Sequence, residues 1–170
     1  MDGTVEVVDG GRRIAFSFDD VLKYHGPGSP GGAAIGFKAL ECALPLLGPG
    51  SLPERREIVV ETAFGGPGAR DAFEVVTRAV TGDRFRLDPA LTRPDRGRVL
   101  ERFVFRLGLG PRAVTLLLRE GFVTEEFIDL ARAERRDPDQ DRRLTALKQE
   151  LADRVMARRA GEVYEVDAVT

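Results

Sequence analysis

The sequence predicts an α+β domain in which a mixed or antiparallel sheet carrying a β-hairpin packs against helices. Three observations predict it. RFVFRL and AVTLLLRE alternate in polarity on either side of the turn segment GLGPR, the pattern of two antiparallel strands. AAIGFKALECALPLL is apolar on almost every helical face, so it must be enclosed by other elements. Helical and strand segments are partly segregated along the chain, which argues against a doubly wound parallel sheet.

In chain order, FSFDDVLKY (residues 16–24) reads as a helix, with Asp19 or Asp20 near its first turn, where negative charge favours the helix dipole. GPGSPGG follows, with glycine or proline at six of seven positions, and must be a loop. The buried helix comes next, and EIVVET (residues 57–62) is a β-branched run read as a strand. Gly65 to Gly68 forms a second glycine-rich loop, followed by a helix from about Ala69 to Val80. In the hairpin, Phe103, Phe105 and Leu107 share a face of the first strand, and Val114, Leu116 and Leu118 share a face of the second. Thr124 opens a further helix, and Pro138 separates it from a charged helix over about 139–159. Gly161 is expected to stop that helix, leaving EVYEVDAV as a terminal strand. No internal repeat is present, and the 170 residues suit one domain spanning 1–170.

Composition narrows the function classes. Apolar residues at 42% and charged residues at 32% are those of a folded chain, and a net charge of −2 offers no general attraction to nucleic acid or an anionic membrane. No apolar run approaches the roughly 20 residues of a membrane span, and MDGTVEVVDGGRR lacks the apolar core of a signal peptide. A cytoplasmic location is expected. One cysteine, Cys42, excludes an internal disulfide and a multi-thiolate zinc site, and one histidine excludes paired-histidine metal motifs. Cys42 itself reads as a small buried hydrophobe.

HGPGSPGGAAIG is the leading candidate site. Its glycines allow backbone amides to approach a ligand, and it leads into a helix N-terminus suited to a carboxylate or phosphate. Gly26, Gly28, Gly31 and Gly32 are the candidate ligand-binding positions. The alternative is a tight turn that packs two helices closely, with the glycines there for steric reasons. His25, the side chain best suited to proton transfer near neutrality, is the candidate general acid or base. Ser29 is either a nucleophile activated by His25 or a turn residue, although G-S-P-G is not the nucleophile-elbow pattern. Glu61 and Thr62, at a strand end beside the second glycine loop, are candidates to line the pocket. Asp71 either orients His25 or supplies negative charge to the start of its helix. Leu144, Leu147, Leu151 and Val155 form one apolar stripe, facing either the domain or a second protomer.

These segments resemble the core domain of the FmdE family, named for a component of formylmethanofuran dehydrogenase. That family has a helix ending in a histidine-glycine-histidine-x-cysteine-proline-glycine loop, then a glycine-containing buried helix; here the region reads YHGPGSPGGAAIGFKAL. VVETAFGGPGARDAFEVVTRAVTGDRF is similar to the family's strand, loop and helix, and the hairpin and GEVYEVDAV to its later strands, so the likeness spans Phe18 to Val169. His25, Gly26, Pro30, Gly31, Gly36 and Asp71 carry over. Ser29 stands where the family has its loop cysteine, Pro27 its second histidine, and Gly68 its second cysteine. The loop is one residue longer than the family's, and the chain ends before the zinc module many members append. The resemblance implies an α+β core, a homodimer, and a pocket at the loop and the strand–helix junction. With the thiolates replaced, only weak divalent-metal binding at His25 is expected, and no cofactor is assigned. The expected function is that of an enzyme or binding protein for an anionic small molecule. A dimeric scaffold that keeps only the fold is the alternative.

Overall fold

The computed structural model describes residues 3–170; Met1 and Asp2, which begin the segment read as lacking a signal peptide, lie outside the described residues. The chain opens with a hairpin that the sequence reading did not include. Strands β1 (Thr4–Asp9) and β2 (Arg12–Ser17) pair antiparallel, with Val5 opposite Phe16 and Val7 opposite Ile14. Gly10 and Gly11 make the turn with φ of +59° and +83°, the twist that a two-residue hairpin turn requires.

Helix α1 (Phe18–His25) starts two residues later than expected, because Phe16 belongs to the hairpin and Ser17 is the cap. Ser17 Oγ accepts from the Asp20 N–H at 3.1 Å, and Asp20 Oδ2 accepts from the Ser17 N–H at 2.8 Å. This reciprocal pair satisfies two otherwise orphaned donors. Helix α2 (Pro30–Leu47) is the central element, with Ala33, Ile35, Phe37 and Leu40 fully enclosed.

The main sheet has the strand order β4-β3-β5-β6-β7, built from β3 (Ile58–Thr62), β4 (Phe85–Leu87), β5 (Val104–Leu109), β6 (Arg112–Leu118) and β7 (Tyr164–Val169). Every pairing is antiparallel except β3 with β4, whose parallel crossover runs through helix α3 (Pro67–Thr77). The sheet is therefore mixed, and the hairpin falls at GLGPR as expected. Strand β4 escaped the sequence reading because it has three residues, and Arg86 and Leu87 are exposed. Ile58, Val60, Phe105, Leu107, Val114 and Leu116 face inward, and Tyr164 closes the layer by donating from its hydroxyl to the Ile35 carbonyl at 2.7 Å.

Helices α4 (Glu125–Arg132), α5 (Pro138–Met156) and α6 (Ala160–Val163) complete the chain. Thr124 caps α4 as expected, through the Phe127 N–H at 3.1 Å. Pro138 is the first residue of α5, with Asp137 and Gln140 forming its capping pair. Gly161 does not stop α5, which ends at Met156; it lies inside α6. Helix α3 likewise ends at Thr77 instead of Val80, because Arg78 turns left-handed (φ 57°) and the Glu74 carboxylate then captures Thr81. One contiguous apolar cluster runs from Val5 to Tyr164, so the described residues form a single domain. Among them, no helix is long and apolar enough to cross a membrane.

Candidate functional site

Helix α1 delivers His25 to its C-terminal end, where Gly26 (φ +83°) turns the chain and its N–H closes onto the Leu22 carbonyl at 2.8 Å. His25 Nδ1 lies 2.7 Å from Asp71 Oδ2, and His25 Nε2 accepts the Ser29 backbone N–H at 3.0 Å. A backbone amide donates only to a bare lone pair, so Nε2 carries no proton here and Nδ1–H donates to Asp71. The His25 side chain is 7% exposed and Asp71 24%, so the arrangement is shielded as well as satisfied.

Three sequence candidates meet at this point. Asp71 sits in the second turn of α3, beyond the positions where it would serve the helix start, and its partner is His25. Ser29 meets the imidazole through its amide and not its hydroxyl, which is the wrong atom for a nucleophile. Both His25 ring nitrogens are engaged in this arrangement, Nδ1 with Asp71 and Nε2 with the Ser29 amide.

The glycines of the loop adopt the packing role. A Cβ on Gly31 would stand 2.8 Å from Leu151 Cδ2 and 2.9 Å from the Lys148 carbonyl oxygen, and one on Gly36 would stand 2.9 Å from Ala69 Cα. On Gly68 it would run into the Ser29 carbonyl oxygen and stand 2.5 Å from the Ala33 nitrogen. Real Cβ atoms do not approach so closely. Helices α2, α3 and α5 therefore converge on α2's N-terminal half because side chains are missing there. Gly28 contributes its carbonyl, which accepts from Lys148 Nζ at 3.1 Å, and Gly32 lies against the start of α3.

Glu61 and Thr62 do not join this cluster. Glu61 faces the other side of the sheet and accepts from Arg106 Nη1 at 2.8 Å. Thr62 is fully buried, donating to the Val104 carbonyl at 2.7 Å and accepting the Phe64 N–H at 3.0 Å.

On the far side of the latched loop lies a cleft of about 430 Å³. Ser29, Gly32 and the Phe64–Gly68 segment form one wall, with Arg102 and Phe103 beside them. Phe127, Ile128 and Arg132 of α4, Arg136, and Leu144 and Lys148 of α5 form the other. Among the described residues, four cations and no carboxylate line it. Arg136 is held by Asp141 at 2.8 Å and by the Leu130 carbonyl at 2.9 Å. Arg102 and Arg132 form no ion pair among the described residues, and nearby Asp129 is engaged by Arg98. Partial burial first, and then the neighbouring Arg102, lower the pKa of Arg132, with Glu101 opposing.

Sequence reasoning missed these cations because they are spread from residue 102 to 148 and look like solvated helix faces. Only the fold gathers them. A second cleft, of about 540 Å³ between the hairpin and the C-terminal half of α2, has its charges already matched: Glu6 with Arg13, and Glu41 with Lys38. Cys42 is half-buried, and burial together with Glu41 raises its thiol pKa, away from reactivity. Among the described residues, no group of three or more histidine, cysteine, aspartate or glutamate side chains is arranged to hold a metal ion. No protein-family model matches the chain, and no curated protein matches it.

Proposed function

We propose that this protein binds an anionic small molecule in the cleft between its two glycine-rich loops and helices α4 and α5. The observation that carries the reading is the lining itself: Arg102, Arg132, Arg136 and Lys148 converge with no acidic residue among them. Arg136 is paired with Asp141, but Arg102 and Arg132 have no ion-pair partner among the described residues; such neighbouring cations repel one another, and a bound anion relieves that repulsion while accepting charge-assisted hydrogen bonds. The starts of α2 and α3 add their partial positive charge from the opposite wall, and neither carries a side-chain cap.

His25 serves this site as a positioning residue. Together with Asp71 it fixes the Ser29 amide and thereby the loop wall. The reading keeps the anion expected from the sequence and moves it from the histidine to the arginines. The resemblance to the FmdE family enters the proposal as a shared scaffold, with a histidine–aspartate latch where thiolate chemistry is missing. A scaffold role through the apolar stripe gains nothing from the packing, since Leu144, Leu147, Leu151 and Val155 are all buried within the chain.

The test is a thermal-shift and calorimetric comparison of small anions with neutral molecules of similar size. Saturable binding of anions, weakened in Arg102→Gln and Arg132→Gln, is the expected result. Equal response to neutral and anionic compounds would overturn the reading.

A further inference from the structure

Resting on the anion-binding reading, the geometry points to one ligand class: an amphipathic carboxylate with an aryl or branched apolar body. The charges occupy only part of the cleft. Among the other lining residues, the half-buried Phe64 stacks on the enclosed Phe103 with centroids 4.5 Å apart at 27°, and Phe127 is likewise half-buried, while Ile128 and Leu144 are already enclosed. A simple inorganic anion would satisfy the arginines and leave the exposed parts of Phe64 and Phe127 wet. A flat or branched apolar group lying against those two rings removes their exposed parts from water and gains stacking against Phe64.

The head group follows from the same geometry. Arg102 and Arg132 stand beside each other on different segments, and a guanidinium fork matches the two oxygens of a carboxylate. Lys148 borders the same space while its ammonium holds the Gly28 carbonyl, so a bound carboxylate there touches the latched loop. Ligand and loop thus share a residue. Occupancy of the cleft reinforces the closed position of the 26–29 segment.

Four probes on the full chain test this by calorimetry: phenylacetate, acetate, inorganic phosphate and neutral phenylacetamide. Phenylacetate is expected to bind at least about tenfold more tightly than acetate or phosphate, as burial of a ring predicts. It should also exceed phenylacetamide by about tenfold, the loss expected when a charge-assisted pair is removed. Phe127→Leu and Phe127→Ala should lower the preference for phenylacetate over acetate stepwise, whereas Arg132→Gln should lower the affinity for both. Acetate or phosphate binding as tightly as phenylacetate would overturn the amphipathic class and leave anion binding standing. No binding by any of the three anions would overturn both readings, and phenylacetamide equal to phenylacetate would overturn the carboxylate.

Discussion

The two walls of the cleft are built on opposite principles. The loop wall, from His25 to Gly36 with Gly68 opposite, is closed: backbone touches backbone, and the single histidine has both ring nitrogens engaged. The helical wall, of α4 and α5 with Arg102 facing it, is open: among the described residues no carboxylate lines the space, and of its cations only Arg136 has an ion-pair partner, Asp141. Glycine and histidine make the first wall conspicuous in the sequence. Those conspicuous residues hold the scaffold, while the groups with unspent capacity are ordinary arginines.

Substitutions should separate the walls. Gly68→Ala is expected to have the largest effect, because its Cβ meets two backbone atoms that cannot withdraw. A loss of about 3 kcal/mol or failure to fold is expected, read from the urea midpoint. A protein of unchanged midpoint would show that α2 and α3 are less tightly joined than described. Next comes His25→Ala, which leaves the Ser29 amide and the Asp71 carboxylate without their partner. It should cost about 2 kcal/mol. Retention of most anion affinity is expected, and complete loss with the fold intact would return His25 to the centre of the site.

Arg132→Gln should do the reverse. Stability should stay within about 0.5 kcal/mol, as for most exposed positions, while anion affinity falls about tenfold. If affinity is unmoved, the helical wall is not the binding wall. The smallest effect is expected for Glu61→Gln, which breaks a partly exposed ion pair with Arg106 on the opposite face of the sheet. Less than about 1 kcal/mol and no change in anion affinity are expected. A clear loss of binding would mean that the strand end reaches the ligand after all.

Much of the fold was legible because its elements carry periodic signals. The alternation in RFVFRL and AVTLLLRE gave the hairpin, and the all-round apolar character of AAIGFKALECALPLL gave the central helix. The opening hairpin also had its signal, since D-G-G lies between TVEVV and RRIAF, but the surrounding charges masked the alternation. Strand β4 had none to offer at three residues with two exposed. For the site, the sequence could place His25 beside a glycine loop and connect it with Asp71. It could not say which atom of Ser29 faces the ring, because an amide and a hydroxyl of one residue have the same letter. Nor could it gather Arg102, Arg132 and Lys148, whose meeting depends on how α4 and α5 lie across the loops.

The most direct test follows the imidazole nitrogens and the arginine side chains together by ¹⁵N NMR during a phenylacetate titration; the chain's single histidine makes the ring signals unambiguous. The expected result is saturable shifts of the Arg102 and Arg132 side-chain signals, with His25 keeping a protonated Nδ1 and a bare Nε2 throughout. Direct response of the His25 ring, with the arginine signals still, would contradict it.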